Sequence, residues 1–289
     1  METSVPFDTT VEVLISVFIG LASLCIGLST TFANVTAVLK DKQVVQRALA
    51  ANILIPPVLA GVIIAVFPVE PAVQTVLLLL AFAPGGINAV QFSTKVPGQI
   101  ASAGALLFLL SAVSLVTAPF AAVFLLPSDA AISIPAGEIA LRAMLLIALP
   151  AAAGMAIRRS APELGAKINK PATLISVLSF IASVILSTAV RQDGLAQFGA
   201  SSTAAILVFI LGLMVVGWFF GGPDIDGRQV LAVSTNLRNV GLVYVLVDGC
   251  CGDDLLSAAV LGFMALMVLP NLIFTVSCAV WRKGHAAES

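Results

Sequence analysis

Charge is scarce in this chain: of 289 residues only 10% are Asp, Glu, Lys or Arg, against about a quarter in soluble domains. No soluble fold of this length hides that much apolar surface. The net charge is −1, and no basic cluster exceeds the pairs Arg158-Arg159 and Arg282-Lys283, which excludes nucleic acid as a partner. His285 is the only histidine, and Cys25, Cys250, Cys251 and Cys278 lie through or beside apolar runs without metal-ligand spacing. The thiols therefore read as small buried hydrophobes, and no metal or other cofactor is expected.

What the chain has in quantity is hydrophobicity, 60% of residues with a mean hydropathy of +1.10. Apolar runs of about twenty residues, separated by short polar loops, suit a hydrocarbon slab about 30 Å thick. The expectation is an all-α polytopic membrane protein, a single domain over 1–289 embedded in the lipid bilayer. Nine spans are expected: Val11 to Phe32, Ala48 to Phe67, Ala72 to Thr94, Gln99 to Leu126, Ile139 to Ile157, Ala172 to Val190, Ala200 to Phe220, Gln229 to Val247 and Leu255 to Trp281. The first lacks the flanks of a cleaved signal peptide and is expected to stay as a helix.

The basic residues support this count. Lys40, Lys42, Arg47, Lys95, Arg158, Arg159, Lys167, Lys170, Arg228, Arg282 and Lys283, eleven of the fourteen, fall on one side, which marks the cytoplasm. Only Arg142 and Arg191 lie near the other face, where acidic residues collect. The N-terminus is thus expected outside and the C-terminus inside, in a plasma membrane, the inner membrane of a bacterium.

Two spans carry residues that a continuous lipid-facing helix avoids. The third reads Ala83-Pro84-Gly85-Gly86-Ile87-Asn88-Ala89-Val90-Gln91-Phe92-Ser93-Thr94. Pro84 removes a donor and the glycines weaken the helix, so a break is expected at Pro84, Gly85 and Gly86, with Asn88, Gln91 and Ser93 on its cavity side. Backbone freed at membrane depth needs protein or a wet cavity as partner; a Pro-kinked packing helix is the alternative. The eighth span carries Ser234, Thr235, Asn236, Arg238 and Asn239 in a row of polar groups, with Arg238 near mid-span. Arg at a helix centre costs about 2.5 to 3.5 kcal/mol to insert and usually marks a substrate or ion path; an Arg that caps carbonyls of the broken partner is the structural alternative. Breaks at matching places in two halves, 11–126 with four helices and 139–281 with five, are the signature of an inverted-repeat transporter with its site where the broken helices cross.

At these motifs the sequence resembles the bile acid:sodium symporter family, within a superfamily that includes arsenite permeases and auxin efflux carriers. Its anchors are Gly27-Leu28-Ser29, Pro56-Pro57, Ala83-Pro84-Gly85-Gly86, Pro119 and Leu237-Arg238-Asn239-Val240-Gly241-Leu242. The resemblance implies a core domain with two crossing helices and a panel domain, here one helix short. It also implies sodium ligands that this chain lacks: a Ser-Asn pair would fall on Ala89 and Val90, a Glu on Ser234 and a Gln on Arg238, while the family Asn is retained as Asn239. A family Gln of the second span would correspond to Asn52, and Ser111 is the nearest candidate for a fourth-span hydroxyl ligand.

A secondary transporter of a small organic anion working by alternating access is therefore expected, with Arg238 in place of the cation and pairing a substrate carboxylate, and with sodium coupling doubtful. Ser234, Thr235, Asn236, Asn239 and Asn52 would supply polar ligands. An auxin-efflux-like exporter and a non-transporting receptor or structural subunit stay open. An enzyme is not expected, since Asp224-Ile225-Asp226 lies in a turn-like loop after Gly221-Gly222-Pro223. The sequence leaves substrate, direction, coupling ion and oligomeric state open.

Overall fold

The computed structural model describes residues 5–85, 100–126, 141, 144–190, 198–251 and 254–286. Among them are thirteen α-helices and no strand. They are α1 (Val5–Ser29), α2 (Phe32–Lys40), α3 (Lys42–Leu49), α4 (Ile55–Val66), α5 (Pro71–Ala81), α6 (Ile100–Leu125), α7 (Leu149–Ser160), α8 (Pro162–Val190), α9 (Gly199–Phe220), α10 (Ile225–Asn236), α11 (Val240–Cys251), α12 (Asp254–Leu266) and α13 (Val268–Ala286). Seven stretches are long and apolar enough to cross a bilayer: Thr9–Ser29, Lys42–Val66, Gly104–Leu125, Pro162–Leu186, Gly199–Phe220, Ile225–Val247 and Leu255–Trp281. The chain is an all-α polytopic membrane protein.

Two expected spans are shorter within the described residues. The third is helical only over α5 before the chain leaves the helix, and the fifth consists of a π turn, Met144–Ala148, followed by α7. The sixth begins ten residues earlier than hydropathy suggests, because α8 runs unbroken from Pro162 through Pro171. Hydropathy marks where lipid begins, whereas Lys167 and Lys170 extend the same helix beyond it. The short helix α2 had no apolar signal; the Thr31 side chain caps its first turn by accepting from Asn34 N.

Prolines explain the π turns. Pro56 lacks the N–H that would bond the carbonyl four residues back, at Asn52, and the chain widens into a π turn over Ala50–Leu54 just before it. Pro150 follows the turn Met144–Ala148 in the same way. Asn52 O is thereby left free for another donor, a fact the site uses.

The helices form two groups. In the first, α1 packs against α7 and α8. Gly27 of α1 lies against the Ala151 carbonyl, with Met155 N 2.9 Å from where a Cβ would stand, and Gly154 of α7 lies as closely against Leu24 and Leu28. These glycines bring the two backbones into direct contact, as small residues do between membrane helices. Leu174, Leu178, Ile181 and Ile185 of α8 are exposed at helical spacing, a face suited to lipid. In the second group α9 packs on α10, and α5 lies against α4, α6 and α12. Within Ile225–Val247, every residue from Gln229 to Val247 is buried: the span with the most polar groups is the one surrounded by protein, as the cost of polar groups in hydrocarbon requires.

Candidate functional site

Both interrupted helices break at the same place in the fold. α5 ends at Ala81, and Gly85 has a φ of +77° with its Cα pressed onto the α6 backbone at Leu110 and Ser111. A side chain there would be strained in conformation and would overlap Leu110 C, which a Cβ would approach to 2.6 Å. α10 ends at Asn236, and two consecutive tight turns carry the chain into α11: Arg238 N donates to Asn236 O at 2.9 Å and Val240 N to Arg238 O at 2.8 Å. Asn239 N donates to Ala83 O at 2.9 Å, which joins one break directly to the other.

Arg238 is 1% exposed, and its five N–H groups make five hydrogen bonds. Nε donates to Leu80 O at 2.8 Å; Nη1 donates to Asn52 Oδ1 at 3.3 Å and Thr235 O at 3.4 Å; Nη2 donates to Asn52 O at 3.0 Å and Ala81 O at 2.7 Å. Asn52 O, four residues before Pro56, is a carbonyl that a proline leaves without its helical donor, and the guanidinium supplies one. Leu80 O, four before Pro84, accepts from both Ala83 N at 3.0 Å and the guanidinium. It also sits at the C-terminal ends of α5 and α10, where helix dipoles favour a cation. Hydrogen bonds to a charged group are worth about 1.5–3 kcal/mol each, enough in number to offset a desolvation cost of several kcal/mol for a buried ion.

The remaining freed carbonyls are taken by α6. Thr117 Oγ1 donates to Phe82 O at 2.6 Å and Ser111 Oγ to Gly85 O at 2.7 Å. Ser114 Oγ accepts from Asn239 Nδ2 at 2.9 Å and donates to Ser111 O at 2.8 Å. Asn239 Oδ1 accepts from Leu242 N at 3.2 Å, so this one side chain caps α11 and ties it to α6. Ser111, Ser114 and Thr117 recur every third residue on one helix face, a signal present in the sequence of which only Ser111 was singled out.

The expected site residues divide as follows. Asn52, expected as an outlying member, is central: its carbonyl and Oδ1 accept from Arg238, and its Nδ2 donates to Ala48 O and Thr235 Oγ1 at 3.0 and 3.2 Å. Thr235, Arg238 and Asn239 join it. Ser234 is buried on α10 with its hydroxyl turned back onto Leu231 O at 3.2 Å. Asn236 is fully buried, and among the described residues neither atom of its side-chain amide has a partner. Pro84 and Gly85 form the break; Gly86, Asn88, Gln91 and Ser93 lie outside the described residues. Among the described residues, the oxygens around Arg238 are already bonded to its guanidinium, and none of its N–H groups is left over for a carboxylate.

A helix that ends at Ala81 and a second one interrupted at Leu237–Asn239 meet inside a polytopic bundle with their freed backbone bonded by protein, an arrangement that fits the broken-helix sites of secondary transporters. The Sodium Bile acid symporter family matches residues 16–198, and the chain belongs to that family. The matched stretch holds the first break; the second, with Arg238, lies beyond it. No curated protein matches the chain.

Proposed function

We propose that this protein is a secondary transporter of a small organic anion, working by alternating access, in which the Arg238 guanidinium takes the place of the cation that couples transport in the sodium symporters it resembles. One observation carries the reading: all five guanidinium N–H groups are donated to neutral oxygens from α5, α10 and the turn at Asn52. These are hard, carbonyl-type oxygens of the kind that coordinate hard metal cations, gathered where two helix ends meet. Arg keeps its charge at physiological pH, so the crossing holds a permanent positive pole without an ion from solution. That pole attracts an anion through the field of the site and does not bond it directly.

Residues 11–126 and 139–281 form the two repeats of this reading, with α1, α7 and α8 as the panel and the crossing helices in the core. The N-terminus lies outside and the C-terminus in the cytoplasm, as the basic residues indicate. The reading is tested in liposomes. A panel of short carboxylates is screened for thermal stabilisation of the purified protein, and uptake of one that binds is measured with sodium replaced by choline. Uptake should persist in choline, and Arg238→Ala should abolish it; strict sodium dependence would overturn the reading.

A further inference from the structure

Two cavities lie along one face of α1. The first, about 120 Å³, is lined by Glu12, Ile15, Ser16 and Ile19 with Leu146, Tyr244 and Val245. The second, about 110 Å³, is lined by Ser23 and Ile26 with Phe108, Ser111, Ile147 and Ala151. Both are somewhat smaller than the engineered cavity of about 150 Å³ that takes benzene. At 100° per residue, Glu12, Ile15, Ser16, Ile19, Ser23 and Ile26 fall within one narrow stripe of the helix. Ser16 and Ser23 are about 10 Å apart along the axis, at about 1.5 Å per residue, and Ile19 stands between them.

Ile19 is fully buried and sits on Gly241: a Cβ added to Gly241 would come within 2.7 Å of Ile19 Cγ1 and 3.0 Å of Cδ1. Gly241, Tyr244 and Val245 share one face of α11, so the face that lines the first cavity is also the seat of Ile19. The contact lies at the depth of the crossing, since Gly241 follows Asn239 by two residues. The second cavity reaches the other break, because the Ser111 on its wall holds Gly85 O. Ser23 Oγ, on the same wall, is buried without a hydrogen-bond partner among the described residues, a cost that a hydrogen-bonding solute or water would relieve.

We propose that the two cavities are the two halves of one solute path along α1, closed at mid-depth by Ile19 seated on Gly241. This rests on the transporter reading and adds its gate. Trimming the plug joins the halves and turns an occluded path into a leak. In proteoliposomes without sodium, passive entry of urea and of formate is followed by stopped-flow light scattering. Ile19→Ala should make the vesicles leaky, Ile19→Val should leak less, and the wild type and Val17→Ala, on the exposed face of α1, should stay tight. Monodisperse Ile19→Ala protein that leaves vesicles as tight as the wild type overturns the gate, as does an equal leak through Val17→Ala. If Ile19→Ala does not fold, Ile19→Val decides by the same criterion. The assay uses no coupling ion, so its failure leaves the Arg238 reading standing, and failure of sodium independence leaves the gate standing.

Discussion

Replacing Arg238 by Gln tests the centre of the structure most directly. A Gln amide offers two N–H groups where the guanidinium offers five, so at least three of its bonds to Leu80, Ala81, Thr235 and Asn52 are lost, with Leu80 O alone keeping a second donor, Ala83 N. Three charge-assisted bonds at about 1.5–3 kcal/mol each set a gross loss of roughly 5–9 kcal/mol. Removing the ion also removes its desolvation cost, which is still several kcal/mol after relaxation. The loss of bonds wins, because the oxygens stay buried after the charge has gone, and a net destabilisation of roughly 2–5 kcal/mol follows. Arg238→Met, which keeps the volume and donates nothing, should lose more than Arg238→Gln. Both are measured by thermal unfolding of the detergent-solubilised protein, read by the fluorescence of Trp218 and Trp281. If both variants melt with the wild type, the guanidinium does not organise the crossing, and its five bonds are incidental.

Two further substitutions probe the first break from the α6 side. Thr117→Val keeps the shape and leaves Phe82 O without its 2.6 Å donor; the expected cost is about 1–3 kcal/mol, seen as a lower melting temperature, with Val116→Ala on the exposed face as a neutral control. Gly85→Ala places a Cβ against the Leu110–Ser111 backbone at a φ of +77°. Its effect should exceed that of Thr117→Val, and the fraction of monodisperse protein after gel filtration should fall sharply; a normal yield would show that α6 yields at this contact.

The breaks were legible because proline, glycine and a mid-span arginine are expensive in a lipid-crossing helix and so stand out against an apolar background. Their meeting was legible only by analogy with repeats, since the Asn239 to Ala83 bond joins residues far apart in sequence. The role of Asn52 was hidden for a different reason. Its side chain drew attention, but it is the carbonyl that Pro56 frees which takes the shortest bond this residue offers Arg238, and a backbone acceptor has no letter in a sequence. Ser114 and Thr117 were readable at their spacing from Ser111, yet an apolar helix conceals hydroxyls that bond inward. Hydropathy misplaced the start of α8 because it measures the solvent and not the hydrogen-bond ladder.

The glycine contact between α1 and α7 bears on how such a protein moves. Where Gly27 and Gly154 bring two backbones together, no side chain is available to change rotamer and absorb a displacement, so these helices translate as one plate. The neighbouring flank of α1 is lined by two cavities with Ile19 at their junction. Slippage between rigid parts concentrates where matter is thinnest, and in this chain that is the flank along which a solute would pass.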